Sequence, residues 1–330
     1  MELIHASADF EEIGVIDTFE RFDAEVGLSD RGADNDFELI LDEHIWSRSK
    51  INCGDCIYID GTEWGGFVEK ITHTVSDGRV RLYGSLWRGL LDRFAVVPDE
   101  GQTHTQITEA DANAVLASLI GSCPDYIAVS NLPSGLVCGG QVRYKSVLSA
   151  AQTILENAGG RLDVTFSGGT VTVSACAKQD RSEEVEFSQE YDSSLTSTES
   201  VVTYNHIIAL GQGAMLERDK VELWRLPDGT VTDDPTAEGI PSGNERRTYI
   251  YDYSSVESVS ALEEAARRKL GEFGAQKSLE ISIGGDSVQL EPGDIAGVRD
   301  MLTGMCATLT VTAKRLTITE NSVKITHVLG

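Results

Sequence analysis

The residues whose types and spacing could do chemistry are few, and the first is Cys53-Gly54-Asp55-Cys56, which has the Cys-x-x-Cys spacing of redox and zinc sites. A redox pair needs its first thiol at a helix start, and structural zinc needs a second ligand pair. Here the pair stands at the entry to a strand and no other close Cys or His pair exists, so two structural cysteines are the expected reading. The six histidines (His5, His44, His73, His104, His206, His327) are spread singly, with no His-x-x-x-His and no nucleophile elbow. Asp34-Asn35-Asp36 has the start of a calcium loop but not its Gly or its distal Glu, which leaves a solvated loop. Carboxylate pairs such as Glu183-Glu184 do not define a glycosidase, which needs two carboxyls facing across one cleft. Gly211-Gln212-Gly213 lacks the remainder of any phosphate-binding fingerprint. No metal, cofactor or catalytic residue is expected.

Composition points the same way. The 330 residues carry 27 Lys plus Arg against 53 Asp plus Glu, a net charge of −26, and 41% of them are hydrophobic. Such a surface repels phosphate backbones, so nucleic-acid binding is disfavoured, whereas a wall that DNA slides past would suit it. The blander reading of the acid is solubility. The charge is uneven: residues 1 to 44 hold fourteen acids against Arg21 and Arg31, residues 179 to 200 hold seven against Arg181, and residues 276 to 330 are nearly neutral. The six cysteines are too scattered for a disulfide framework. No stretch has the length of a membrane span, and the Met1-Glu2-Leu3-Ile4-His5 start lacks signal-peptide features, so synthesis in the cytoplasm is expected.

The elements that must position these residues read as two strand-rich ends around a mixed middle. Residues 1–98 form a first β-barrel-like domain, with strands at Phe37–Leu41, Ile57–Ile59, Phe67–Ile71 and, after the Asp77-Gly78 turn, Val80–Tyr83. Residues 99–178 form an α+β module. Thr108 caps its first helix, Val147, Leu148, Ala151, Ile154, Leu155 and Ala158 mark a second over 145–158, and Leu162–Phe166 and Val171–Ala175 make a hairpin. Residues 179–330 form a second β-barrel-like domain with strands at 204–211 and 221–226, a polar and plausibly mobile loop at 233–245, and a helical insertion near 260–273 capped by Ser260 with Glu263. The fold class is therefore mainly β, of α+β type.

The two ends echo one another. Gly54-Asp55, Ile57–Ile59, a Gly-bearing loop, Val68–Ile71, a turn and Val80–Leu82 run in the same order as Gly293-Asp294, Ile295–Val298, a loop ending at Gly304, Leu309–Val311, Glu320-Asn321 and Val323–Ile325. Gly54, Asp55, Gly293 and Asp294 are read as structural turns of two related barrels, with chance similarity between two meanders as the competing reading.

Phe10-Glu11-Glu12-Ile13-Gly14-Val15-Ile16-Asp17, Asp36-Phe37-Glu38-Leu39, Gly54-Asp55-Cys56-Ile57-Tyr58-Ile59, Gly66-Phe67-Val68-Glu69, Leu90-Leu91-Asp92-Arg93, Asn205–Gly211 and Pro292–Asp300 resemble siphophage and prophage tail proteins of the baseplate hub type. The chain departs from that pattern at Cys56, where the family has an apolar residue, and at Phe22-Asp23-Ala24-Glu25, where aromatic or basic residues are commoner. The resemblance implies a structural, non-enzymatic virion tail protein: a homotrimer whose two barrels per chain make a ring of six. It would contact the distal tail protein, the tape-measure and the tip or fibre proteins, and leave a channel for DNA. Combined with the charge, it makes Glu11, Glu12, Asp17, Glu20, Asp23, Glu25, Glu183, Glu184 and Glu186 the candidate acidic surface of the channel or its rim. Two alternatives come from other classes: a receptor- or carbohydrate-binding tail module using Trp46, Trp64, Trp87 or Trp224 as sugar platforms, and a tail-associated cell-wall hydrolase.

Overall fold

Alternating apolar and polar residues make strands the commonest element of this chain. The computed structural model describes residues 2–184, 186–188, 193–200, 204–213, 218–256, 258–273, 276–284 and 289–330. Its contacts group residues 1–196 with 279–330 in one compact unit and residues 197–278 in a second.

In the first unit the opening segment supplies β1 (Leu3–Ala6), β2 (Glu12–Ile16), β3 (Arg21–Gly27), β4 (Asp36–Asp42), α1 (Glu43–Ser49), β5 (Cys56–Tyr58), β6 (Gly65–Phe67), β7 (Lys70–Thr74) and β8 (Arg79–Ser85). The expected strand over Phe67–Ile71 breaks at Val68-Glu69. There the chain leaves a small sheet, ordered β2-β1-β5-β6, and enters a larger one through β7. The crossing is tight: a Cβ on Gly66 would stand 1.9 Å from the Ser85 carbonyl oxygen, and one on Gly84 would stand 1.9 Å from that of Phe67. Only glycine admits backbones at that distance. Phe22, Ala24 and Val26 of β3 and Phe37, Leu39 and Leu41 of β4 point into one core with Val80 and Leu82 of β8, while the residues between them face the other way.

The mixed segment follows, with β9 (Ala95–Val96), β10 (Thr105–Asp111), α2 (Ala112–Leu119), β11 (Ile127–Val129), β12 (Val137–Val142), β13 (Lys145–Ser146), α3 (Val147–Asn157), β14 (Gly160–Ser167) and β15 (Thr170–Ala177). Thr108 does not cap α2. It lies inside β10, and Asp111 takes the cap by accepting the Asn113 N–H at 2.9 Å. Its second oxygen accepts the Ser134 N–H and hydroxyl, which fastens a loop to the helix start as a threonine in a paired strand could not. The expected second helix is α3, one to two residues shorter at each end. Ser146 caps it and the positive φ of Gly159 (71°) follows its end. Its buried face, with Leu148, Ala151, Ile154 and Leu155, packs on the β14–β15 hairpin through Leu162, Val164 and Phe166.

Then come β16 (Glu186–Phe187) and β17 (Ser193–Ser200), and, past the second unit, β22 (Gln276–Gly284), β23 (Ile295–Arg299), β24 (Cys306–Thr319) and β25 (Ser322–Leu329). These strands close no barrel of their own among the described residues. They join the first segment in one sheet with the order β17-β22-β25-β24-β3-β4-β8-β7. The junction is β24 against β3, antiparallel from Ala313↔Gly27 to Thr319↔Arg21. The two halves of the path follow one rule, the final pair of strands being placed in reversed chain order in each.

The second unit contains β18 (His206–Leu210), β19 (Lys220–Arg225), β20 (Val231–Thr232), β21 (Thr248–Asp252) and α4 (Val259–Glu272), with sheet order β20-β19-β18-β21. Leu262, Ala266 and Leu270 of α4 cover Ile207, Ala209 and Leu223. The cap of α4 is Ser258, which accepts the Ala261 N–H, not Ser260. Glu263 is drawn instead to Arg267, one turn along the same face, at 2.7 and 2.9 Å.

Candidate functional site

Gly54-Asp55 and Gly293-Asp294 form corners with matching hydrogen bonds. Gly54 (φ 95°) donates its N–H to the Val68 carbonyl at 2.7 Å, and Gly293 (φ 102°) donates to Val311 at 2.9 Å. Val68 and Val311 each return a bond of 2.8 Å, to the carbonyls of Asp55 and Asp294. Each Asp carboxylate then accepts the backbone N–H three residues back, Asn52 at 2.8 Å and Glu291 at 2.9 Å. The corners differ in what else they hold. Asp55 accepts from His5 Nε2 at 2.9 Å, whereas Asp294 is buried and also accepts the Gln179 N–H at 2.8 Å beside Arg161.

The nine candidate acids fall in three separate stretches, partly on strands and partly in the loops beside them. Glu11 and Glu12 are exposed at the β1–β2 hairpin, with Asp17 exposed after it. Glu20 lies just before β3 and pairs with Arg79 at 2.5 Å; Asp23 and Glu25 stand on the polar face of β3, paired with Arg21 and Arg315. Glu183 and Glu184 are exposed, and Glu186 in β16 pairs with Arg299. Several of these charges are thus neutralised by an arginine.

What sequence reading missed is a buried ionic cluster at the junction of the first segment, the mixed segment and the last strands. Arg88, only 1% exposed, donates from Nε and Nη2 to Glu63 Oε2 at 3.2 and 2.8 Å. Lys314 lies 3.3 Å from Glu63 Oε1, donates to Glu291 at 2.6 Å and sits over the Trp64 ring, 5.2 Å from its centre. Arg161 bonds Asp163 at 2.7 Å and lies 3.2 Å from Asp294. Burial alone would raise the Glu63 carboxyl, but the charges of Arg88 and Lys314 outweigh it and hold the group below its ordinary value. Burial raises Glu291 despite Lys314. Burial, with Lys314, pushes His327 down to about 4, so this ring is neutral at pH 7 and donates to the Leu290 carbonyl at 3.0 Å. Glu63, Arg88, Arg161, Asp163, Glu291 and Lys314 line a pocket of about 390 Å³.

Aromatic packing fixes the same junction. Trp87 stacks on Phe166 with ring centres 4.2 Å apart, Tyr58 meets Phe166 edge-on at 4.6 Å, and the Gly61 N–H donates to the Phe166 carbonyl at 2.9 Å. Trp64, Trp87 and Trp224 are buried and Trp46 packs against the core of the large sheet, so none of the four is presented as a flat sugar platform.

Cys53 is exposed and Cys56 buried; burial and Asp55 push the Cys56 thiol up to about 12, which keeps it protonated and a poor ligand or nucleophile. Among the described residues no group of three His, Cys, Asp or Glu is placed to hold a metal, and no helix is long and apolar enough to cross a membrane.

No family model and no curated protein matches the sequence. Solved structures match it over its whole length. The 43 kDa tail protein of prophage MuSo2 from Shewanella oneidensis aligns with a TM-score of 0.53 at 10% identity, covering 100% of this chain and 98% of that one. Prophage tail protein gp18 from Listeria monocytogenes EGD-e gives 0.51 at 11% identity, covering 99% and 94%. A chain of the p2 virion baseplate in its activated conformation gives 0.50 at 10% identity, covering 99% and 98%. At such identities the likeness is one of fold: the chain has the mainly β architecture of phage and prophage tail and baseplate proteins, the class expected from its strand pattern.

Proposed function

We propose that this chain is a structural, non-enzymatic hub subunit of a bacteriophage or prophage tail, and that three copies close into a ring around a channel for DNA. The observation that supports the reading is the strand path. It is two four-stranded halves of like order, β17-β22-β25-β24 and β3-β4-β8-β7, hydrogen-bonded to each other where β24 meets β3. The ends of the path are β17 and β7, which pair no further among the described residues. An unpaired strand edge is a template for pairing with another chain. If β7 of one copy meets β17 of the next as β24 meets β3, the sheet continues from copy to copy, and three chains supply six like halves.

The polar face of the sheet would then line the channel. It carries Asp23, Glu25, Asp36 and Glu38 beside Arg21, Arg79, Arg81 and Arg315, a paired surface that offers DNA no continuous cationic track. Glu11, Glu12, Asp17, Glu183 and Glu184 would stand at the rim. The distal tail protein, the tape-measure protein and the tip or fibre proteins are the partners this reading assigns, with the virion tail as its place.

Light scattering coupled to size exclusion, with negative-stain images of the same fractions, tests the proposal. A mass of three chains and particles with a central hole are expected. A single-chain mass that persists to high concentration, or a closed dimer without a hole, overturns it.

A further inference from the structure

We infer that the charged pocket at the three-way junction is a binding site for an oxyanion of phosphate or carboxylate type, a site independent of the ring proposed above. The argument is an account of donors and acceptors. Glu63 is taken by Arg88 and Lys314, Glu291 by Lys314, Asp163 by Arg161, and Asp294 by the Gln179 and Glu291 amides. On the donor side there is a remainder. Nη1 of Arg88, on a residue 1% exposed, finds no acceptor, and Nε of Arg161 is buried 3.2 Å from Asp294 without the alignment of a hydrogen bond. Arg181 stands on the lining of the same pocket and spends its Nε on Gln179.

A buried donor left unmade is destabilising, and guanidinium groups are satisfied best by carboxylate or phosphate oxygens. Two such donors on residues that line a pocket of about 390 Å³ therefore call for an acceptor with several oxygens. The volume exceeds that of one phosphate, so the group is either free in solution or carried on a small organic body.

Calorimetric titration of the full chain with inorganic phosphate, methyl phosphate and acetate, at ionic strength held with chloride, tests the site. Fluorescence of Trp64, which lines the pocket, is read in parallel and assigned with Trp64→Phe. Saturable one-site binding is expected, weakened about tenfold or more by Arg161→Gln. Arg181→Gln, at a less buried position, gives a second reading if Arg161→Gln fails to fold, and is expected to weaken binding in the same direction. Tighter binding of methyl phosphate than of phosphate assigns the group to an ester; the reverse assigns it to the free ion. Heats that match the chloride control, or affinities unchanged in both arginine variants, overturn the inference.

Discussion

Asp55 and Asp294, 239 positions apart, sit at the same place in two copies of one corner, each accepting the backbone N–H three residues before it, at 2.8 and 2.9 Å. What surrounds them differs. A Cβ on Gly54 meets nothing within 4 Å, while one on Gly293 would lie 3.0 Å from Cβ of Arg161.

Gly54→Ala is therefore expected to cost only the strain of a left-handed alanine, about 1–2 kcal/mol. Gly293→Ala carries the same strain and also pushes on Arg161, so its midpoint in urea falls further. Equal midpoints for the two variants would contradict the difference drawn between the corners.

Truncating Glu63 to Ala strands Arg88, only 1% exposed, without its nearest counter-charge. A loss of about 3–5 kcal/mol is expected, and Glu63→Gln, which keeps a carbonyl acceptor, is expected to lose less. Chemical denaturation of the two variants side by side measures both.

Stability should decline on acidification before ordinary carboxylates titrate. His327 has its folded value at about 4 against 6.5 when unfolded, so the unfolded chain takes up the proton first. Stability is full above about pH 6.5, falls as the pH drops toward 4, and changes through this group by about 3 kcal/mol in all. Glu63, held below 4.5, adds a loss in the same direction at lower pH, while Glu291, held above it, stabilises at low pH and opposes the loss. His327→Gln is expected to flatten the slope between pH 6.5 and 4 in thermal melts.

Phe166 joins the mixed segment to the first by stacking on Trp87. Phe166→Ala removes a fully buried ring and is expected to cost about 3–5 kcal/mol, with a change in near-ultraviolet circular dichroism from Trp87 and Tyr58.

The sequence discloses what is local. The three- and four-residue spacing in Val147–Leu155, the alternation on either side of Gly168-Gly169 and the Gly-Asp corners each depend on residues within a turn or two of one another. At the first helix Thr108 and Asp111 are both good caps, and only the pairing of β10 with β12 decides between them. The ionic cluster left no trace in the sequence, since Arg88 finds Glu63 across 25 residues and Lys314 arrives from the far end of the chain. The merging of both ends into one sheet was hidden likewise, for strand alternation states that a strand has a buried face and is silent on its neighbour.

Arg315 of β24 meets Glu25 of β3, 290 positions away along the chain. On the ribosome, β3 therefore waits with one side open until β24 has been made, exposed meanwhile to mispairing with other nascent chains. A pairing of such long sequence separation is slow to close, and growth at lower temperature or with added chaperone should raise the soluble yield.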